Sequence, residues 1–378
     1  MSKVLVILVT YNGLPWLERC LSSVLPSAFR ASGAPGTKKN GLPGANKGSG
    51  APGELEVDVF VWDNGSTDGS ADFIAQHFPQ AHLVRSAENR LFARPNNEGL
   101  RYALDHGYDY AYLLNQDAWL EPGALETLLA VASEHPEYAV LSPLQLAPDG
   151  MLDANFAKVY GLEGDVDQVR GFSPDVDQVQ GIFGRGLISG AGPGPASVAS
   201  TALGGTSGGL GPKMGWTRST TGMGRSEAEA IRDCVSSAGP MAAHWLVNLE
   251  AVRQIGLFNE ELFPLYGQDD DWCNRARYHG YKIGIIKEAG GVHDRAQRKE
   301  PKEKLIERNY RSASLVRLAD VNRPLWCSFL YVCLFTLVKT VKYVSMKPIG
   351  LFPGICRQLP AVKSARLAGR SGGLGFVE

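Results

Sequence analysis

Apolar and polar positions alternate in two rhythms along the first third of the chain. Residues 4–10 form an unbroken, β-branched apolar run, which is typical of a strand covered on both faces. The next stretch repeats apolar residues at helical spacing, with Pro15 suited to its first turn. The same pair of patterns recurs and predicts strands at 57–62, 81–85 and 110–114, and helices at 70–78, 97–106 and 122–134. This alternation predicts an α/β fold with right-handed crossovers and a doubly wound, mostly parallel sheet.

Two stretches interrupt this pattern. Residues 31–53 are rich in Gly, Pro, Lys and Asn, and residues 161–227 are rich in Gly and Ser and contain DVDQV twice. Two short copies are too few for a repeat architecture, and neither stretch has the apolar content to form a core. The sequence therefore predicts two flexible Gly-rich insertions.

Regular patterning resumes near residue 237. It predicts a strand at 241–247, a helix from Asn248 that ends at Gly256, a helix at 269–279, a strand at 281–287 followed by a turn at Gly290 and Gly291, and a basic helix at 302–318. These segments complete a predicted domain of residues 1–320 and leave 321–378 as a C-terminal tail.

The tail begins with a fourteen-residue apolar run, LWCSFLYVCLFTLV at 325–338, followed by Lys339 and Lys342. The run is shorter than the roughly 20 residues that span a bilayer. Its aromatic residues and basic flank favour a helix lying on a membrane surface, and a buried core helix fits the same pattern nearly as well.

Composition narrows the class of protein. The chain has 38 basic and 39 acidic residues, so no global positive field attracts nucleic acid. Its six cysteines are scattered without a CxxC pair, which favours a reducing compartment over a disulfide framework. The apolar N-terminus runs directly into YNGLPW without a cleavage site, so we interpret it as a buried strand and expect a cytoplasmic protein.

Polar clusters follow the first two predicted strands. Thr10, Tyr11 and Asn12 offer an aromatic ring beside short hydrogen-bonding groups, which suits a nucleobase, although Asn12 is equally explained as a helix cap. Asp63 and Asn64 open the stretch DNGSTDGS. A strand–turn–helix explains the glycines and serines of that stretch but does not explain Asp63.

Two further clusters carry carboxylates. Asn115 and Asp117 follow the strand at 110–114, and an acid there can hold a divalent cation or simply cap the next helix. YGQDDDWCNR places three acids at a predicted helix start, where the macrodipole and free N–H groups favour one or two of them. A further acid beside aromatic residues suits a carboxylate base in an apolar pocket that raises its proton affinity. His293 is a candidate metal ligand, or else an ordinary surface or core histidine.

Together these stretches resemble the family 2 glycosyltransferases, inverting enzymes with the GT-A fold, and among them the rhamnosyltransferase-like branch. The resemblance covers most of residues 3–320 apart from the insertions. It rests on LVTYNGLPWLERCLSSVL, VFVWDNGSTDGS, ENRLFARPNNEGL, YLLNQDAWLEPGALETLL, LFNEELFPLYGQDDDWCNRARYHGYKIG and GGVHD.

The resemblance implies a role for each matching residue. Asp269 takes the position of the catalytic base, and Asp271 that of an acid supporting the acceptor. Asp117 and His293 are similar to the two ligands of a Mg²⁺ or Mn²⁺ ion. The nucleotide-sugar donor would be contacted by Thr10, Tyr11, Asn12, Asp63, Asn64, Asn89, Asn97 and Asn115.

The implied function is sugar transfer from a nucleotide-sugar to a hydroxyl of a glycan or lipid-linked acceptor, in cell-envelope or exopolysaccharide synthesis on the cytoplasmic face of the membrane. The chain departs from its relatives at Gln268, where many have Glu, at Arg90 and Leu91, where they have Gly-Phe, and in the long insertion from Gly161. A sugar nucleotidyltransferase is a second hypothesis, but TYNGLPW lacks the Gly-rich basic loop that would hold a triphosphate. A non-catalytic sugar-nucleotide binder is a third.

Overall fold

The computed structural model describes residues 2–25, 55–160, 162, 231–233, 240–295, 301–373 and 375. The predicted insertions at 31–53 and 161–227 lie outside the described residues, apart from Leu162. The described residues form one unit around a central sheet.

Nine strands of the described part form a single sheet in the order β3-β2-β1-β4-β8-β6-β9-β5, with β7 beside β9. Their bounds are β1 Lys3–Thr10, β2 Glu56–Asp63, β3 His82–Arg85, β4 Tyr110–Asn115, β5 Ala118–Leu120, β6 Tyr138–Leu146, β7 Ile231–Asp233, β8 His244–Asn248 and β9 Lys282–His293. The first four predicted strands are present and mutually parallel. The other half of the sheet is mixed, since β8 is antiparallel to both β4 and β6, whereas β6 and β9 are parallel.

The strand β9 corrects one local prediction. Gly290 and Gly291 do not form a turn, because β9 continues through both to His293. It pairs with β6 in both halves, with β7 in its first half and with β5 at its last residues. A register shift against β6 separates the two halves, so a single long strand joins two regions of the sheet.

Eleven helices accompany the sheet in the described residues. They are α1 Leu14–Val24, α2 Ser70–His77, α3 Ala93–Asp105, α4 Ala124–Glu134, α5 Ala154–Tyr160, α6 Leu249–Ile255, α7 Gln268–Tyr278, α8 Lys302–Ala319, α9 Leu325–Tyr343, α10 Lys347–Arg357 and α11 Leu359–Ser371. The helix α3 begins four residues earlier than predicted, because Pro95 is compatible with a first helical turn and does not delay it.

The sheet is covered on both faces, which explains the uninterrupted apolar run of β1. Leu5 and Ile7 belong to one buried cluster together with side chains of α3, α6 and α7. Val4, Val6 and Leu8 belong to the other, together with side chains of α1 and α4. Successive residues of a strand point to opposite faces, so both sets must be apolar.

The C-terminal helices form a third cluster that includes Tyr310, Leu318, Val332 and Val362. Hydrogen bonds connect these helices to one another and to α7. Arg366 donates to the carbonyl of Leu318 at 2.9 Å, and the ring of His279 bonds to the carbonyl of Gly369 at 2.8 Å. The tail is therefore packed onto the α/β domain.

The helix α9 is longer than the predicted apolar run and mostly uncovered. In the part of the chain that the structure describes, it is the one helix whose length and composition allow it to cross a membrane. Ser328, Val332 and Thr336 are buried on one side, whereas Trp326 is 67% and Leu334 62% exposed on the other. The alternative of a plain core helix therefore does not describe α9.

The contact between α3 and β1 gives a stability prediction. A Cβ at Gly99 would lie 2.6 Å from the side chain of Ile7, so Gly99→Ala should lower the free energy of unfolding by about 1–3 kcal/mol. Gly350 is the matched control, because it also lies in a helix and its Cβ would meet nothing within 4 Å. There the same substitution should stabilise by roughly 0.5–1 kcal/mol, and urea denaturation measures both. Equal effects at the two sites would contradict the packing argument.

Candidate active site

The polar residues that follow the parallel strands meet at one edge of the sheet. Thr10 pairs in register with Asp63 on β2, and Val9 pairs with Asn115 on β4. The carboxyl ends of parallel strands at a change of strand order are where α/β sheets bind ligands. The predicted clusters after β1, β2 and β4 therefore share one rim.

Side-chain amides lock the rim loops together. The Oε1 atom of Gln116 accepts hydrogen bonds from the Thr10 hydroxyl at 2.8 Å and from the Tyr11 N–H at 2.7 Å. Asn12, which has a positive φ of 51°, accepts from the Thr67 N–H at 2.9 Å. These bonds leave the Tyr11 ring 46% exposed at the edge of the site.

The Asp63 carboxylate has one satisfied and one unsatisfied oxygen. Oδ2 accepts a hydrogen bond from the Ser66 N–H at 3.1 Å, whereas the buried Oδ1 has no hydrogen-bond partner within the described residues. A buried acceptor without a donor is costly. This oxygen is therefore suited to a ligand that brings an N–H or O–H group.

Two predicted donor contacts instead support the loop at residues 89–92. The Asn64 amide donates to the Leu91 carbonyl at 2.7 Å and accepts from the Arg90 N–H at 2.9 Å. The side-chain Oδ1 atom of Asn89 accepts a hydrogen bond from the Leu91 N–H at 2.8 Å. Leu91 adopts a positive φ of 65° within this loop.

Asn97 does not match its predicted role as a donor contact. Its side chain is fully buried, donates to the Phe258 carbonyl at 3.0 Å and to Glu260 at 2.7 Å, and accepts from the Phe258 N–H at 2.9 Å. These bonds join α3 to the loop after α6. The prediction began a helix at Asn97, whereas Asn97 lies inside α3 and faces the protein interior.

Asp117 and His293 meet although they are far apart in sequence. The β5–β9 pairing places Ala118 opposite His293, and His293 Nε2 lies 3.3 Å from Asp117 Oδ1. Both side chains are buried, and Nε2 makes no hydrogen bond within the described part of the chain. A carboxylate and an imidazole suit a divalent cation. No third His, Cys, Asp or Glu of the described residues joins them, so water or substrate would complete the coordination.

A second set of side chains, absent from the sequence prediction, holds His293 in place. Arg295 donates to His293 Nδ1 at 3.1 Å and to Gln145 at 3.0 Å. The buried His244 bonds through Nε2 to the Val292 carbonyl at 3.0 Å and through Nδ1 to the Tyr112 hydroxyl at 2.9 Å. In the sequence, His244 stands out only as a polar residue at the start of the otherwise mostly apolar strand β8.

The three acids of α7 have different surroundings. Asp269 is half-buried, and its Oδ1 accepts from the Asp270 N–H at 3.0 Å. Burial raises the pKa of Asp269 above that of an ordinary aspartate, although hydrogen bonds from the backbone of Asp270 and Ala242 oppose the shift. A carboxylate with a raised pKa is a better proton acceptor.

The contacts of Asp271 differ from the prediction that this acid supports an acceptor. It is 4% exposed and forms an ion pair with Arg275 at 3.0 Å. Arg275 also donates to the carbonyls of Ile255 and Leu257, at 2.9 Å and 2.8 Å. Asp271 therefore anchors α7 to the segment after α6, and the assignment of Asp269 as the base stays a prediction.

The segment before α7 is held in an uncommon backbone conformation. Tyr266 and Gly267 have positive φ angles of 71° and 91°. The Arg308 guanidinium stacks 4.3 Å from the Tyr266 ring, and the N–H groups of Phe92 and Ala93 donate to the Pro264 carbonyl, each at 3.1 Å. These contacts join the α7 segment to α8 and to the 89–92 loop. Sequence patterns gave no signal for them.

The geometry defines an α/β domain with a carboxylate, a carboxylate–histidine pair and a half-buried acid associated with one sheet edge. Residues 5–151 match the model of Glycosyl transferase family 2. This part of the chain is thus similar to the family 2 glycosyltransferases, as its motifs predicted.

The chain is 29% identical over 153 residues to N-acetylglucosaminyl-diphospho-decaprenol L-rhamnosyltransferase of Mycobacterium tuberculosis, in strains H37Rv and CDC 1551. The aligned part covers 38% of this chain and 42% of the length of those relatives. Among solved structures, S. aureus TarS 1-349 has a TM-score of 0.47 at 12% identity, covering 99% of this chain and 88% of that one. Mannosyltransferase PcManGT from Pyrobaculum calidifontis, in complex with GDP-Man and Mn²⁺, has a TM-score of 0.45 at 15% identity, with the same coverage.

The environment of His244 predicts a pH dependence of stability. Burial lowers the pKa of His244 to about 3, against about 6.5 in an unfolded chain. Between these values the unfolded chain binds a proton that the folded protein does not. The contribution of His244 to the free energy of unfolding should therefore be complete above pH 6.5. Below that pH it should decrease by about 1.4 kcal/mol for each unit by which the pH falls.

Urea denaturation between pH 7 and pH 4, with a chelator present, tests this effect. His244→Gln should flatten the pH dependence of the free energy of unfolding, whereas His106→Gln, at an exposed position, should not. An unchanged slope in His244→Gln would show that His244 does not carry the effect.

Proposed function

We propose that this protein is an inverting glycosyltransferase that moves a sugar from a nucleotide-sugar to a hydroxyl of a glycan or lipid-linked acceptor in cell-envelope or exopolysaccharide synthesis. The family match and the rhamnosyltransferase relative support the class of reaction. One structural observation carries the proposal: a short segment connects the strand end that precedes Asp117 to Asp269. The Ala243 carbonyl accepts a hydrogen bond from the Asn115 N–H at 3.1 Å, and the preceding residue, Ala242, donates to Asp269.

The donor half of the site supplies contacts for a nucleotide. The exposed Tyr11 ring offers a stacking surface for the base, since aromatic faces pack on other rings. The free Oδ1 of Asp63 accepts a hydrogen bond from the base or ribose. Thr10, Asn12, Asn64 and Asn89 hold the loops that shape this half, and Asn115 belongs to the strand end between the two halves.

Asp117 and His293 are the residues that would hold Mg²⁺ or Mn²⁺. A cation held there would neutralise charge on the departing nucleoside diphosphate. The buried, unsatisfied Nε2 of His293 fits this role. His244 keeps the end of β9 in position. A cation on Nε2 would need the ring proton of His293 on Nδ1, so Arg295, which here donates to Nδ1, would then keep only its bond to Gln145.

Asp269 acts as the base. Its carboxylate takes the proton of the acceptor hydroxyl while that oxygen forms a bond to the anomeric carbon. The bond from this carbon to the diphosphate oxygen breaks, and the nucleoside diphosphate leaves with the electron pair. A single displacement inverts the anomeric configuration. The raised pKa of Asp269 favours the proton transfer.

Donor turnover tests the mechanism. Asp269→Asn should lower kcat by about 10²–10⁴-fold, because amides do not act as bases, while nucleotide-sugar binding in a thermal-shift assay persists. Asp72→Asn, at an exposed position on α2, is the control and should keep full activity. A chelator should abolish release of nucleoside diphosphate. Undiminished turnover in Asp269→Asn would remove Asp269 from the mechanism, and binding without any turnover in the unmodified protein would favour a non-catalytic binder.

The uncovered face of α9 supports a peripheral location on the cytoplasmic face of a membrane. Trp326, Leu330, Leu334, Leu337 and Val341 are each more than half exposed and recur at helical spacing on one stripe. Exposed apolar patches of this kind mark interaction surfaces. Residues 321–378 contain eight basic residues and one acid, Glu378, which suits anionic lipid.

Vesicle flotation tests this location. The protein should float with vesicles that contain phosphatidylglycerol and less with phosphatidylcholine alone, because basic residues interact with anionic headgroups. Leu334→Gln should weaken flotation several-fold, whereas Met151→Gln, at an exposed apolar position elsewhere, should not. Equal flotation of both variants would exclude α9 as the contact surface.

A further inference from the structure

A pocket of about 160 Å³ lies between α7, α8 and α9. It begins one residue from Asp269, since Asp270 forms part of its wall. The other polar and aromatic residues of its lining are Asn274, Arg317, Asp320, Tyr331 and Phe335. The mechanism derived above assigns this pocket no role.

Two cations lie against its aromatic wall. The Arg317 guanidinium stacks 4.3 Å from the centre of the Tyr331 ring, and the Lys339 ammonium lies 5.0 Å from that of Phe335. Arg317 forms no ion pair with any residue that the structure describes, and it is only half-buried. Its fork of N–H donors is thus held in place by stacking and remains available to a ligand.

One of the two acids of the pocket is already paired. The Asp320 carboxylate is paired with Arg323 at 3.3 Å and accepts two hydrogen bonds from Asn322, each at 3.0 Å. Asp270, the other acid of the lining, is the neighbour of Asp269 in sequence, and its carboxylate oxygens are hydrogen-bond acceptors. The pocket therefore has a cationic aromatic side and a side that accepts hydrogen bonds from hydroxyls.

We propose that this pocket binds the diphosphate of a lipid-linked saccharide acceptor, with Arg317 as its main contact and the first sugar lying toward Asp270. Arginine recognises phosphate oxygens through paired N–H donors. The inference rests on the proposed function and names the acceptor class of that site. Because Asp271 is bound to Arg275, recognition of the acceptor beside Asp269 falls to other residues, and Arg317 supplies it.

The position of the pocket on α9 accounts for the lipid. The helical repeat places Tyr331 and Phe335 between the buried side of α9, marked by Val332, and the exposed stripe that includes Leu330 and Leu334. A ligand with its diphosphate against Arg317 can therefore extend its prenyl chain along the apolar stripe. A free sugar phosphate would not use that stripe.

Isothermal titration without donor tests the contact. The probes are geranyl-diphospho-N-acetylglucosamine and octyl N-acetylglucosaminide, which has an apolar chain but no diphosphate. The unmodified protein should prefer the diphosphate probe, and Arg317→Gln should weaken its binding by about 10- to 100-fold, as expected for loss of a charge-assisted contact. Arg311→Gln, an exposed arginine of the same helix paired with Glu307, should bind like the unmodified protein.

Three outcomes separate the proposals. Equal affinity of the unmodified protein for both probes, or unchanged affinity in a folded Arg317→Gln, would overturn the pocket assignment. Arg317→Lys keeps the charge and should recover part of the affinity, which a purely structural role for the stacked ring would not produce. Metal-dependent donor hydrolysis without acceptor should be the same in all three variants. Its absence from the unmodified protein would count against the glycosyltransferase function itself.

Discussion

The pairing of β5 with the end of β9 is the constraint on which the proposed site depends. It brings His293 Nε2 to within 3.3 Å of Asp117 Oδ1, and both side chains are buried. The residues around this strand pairing are packed against it. Gly291 has no side chain because the His244 ring would lie 3.0 Å from its Cβ, and Tyr112 fixes that ring from the other side. The site is thus assembled by sheet pairing and not by a local motif.

The three adjacent acids Asp269–Asp271 have different surroundings in the structure and therefore different roles. Successive helix positions point in different directions, so three adjacent acids meet three environments. Asp271 points inward and is neutralised by Arg275, and breaking such a buried pair typically costs about 3–5 kcal/mol. Asp270 lines the α8–α9 pocket, and Asp269 keeps a half-buried carboxylate with a raised pKa. The structural pair fixes the helix that carries the proposed base.

Sequence periodicity predicted the strands and helices of the first half because each has a long, regular apolar pattern. It missed β6, whose nine residues are all buried but include Pro143, a residue that argues against a central strand. It missed β5 because three residues carry no periodicity, and it interpreted Gly290 and Gly291 as a turn although close packing explains both. The motif residues were located correctly on the strand ends. What sequence cannot supply is the direction of a side chain, and that is why Asn97 and Asp271 were assigned to ligands while they bind the protein itself.

The C-terminal helices contact the segment before Asp269 and so fix its position relative to the exposed stripe of α9. Because α8 contacts Gly267, where a Cβ would lie 2.8 Å from Ser312, the segment before Asp269 cannot move independently of these helices. Arg308 reinforces the same contact by stacking on Tyr266. A membrane bound by the exposed stripe of α9 would therefore be held at a fixed distance from the base. An acceptor anchored in that membrane needs only to place its diphosphate in the pocket for its sugar to lie near Asp269, and binding energy from the remote lipid and phosphate then orients the reacting hydroxyl.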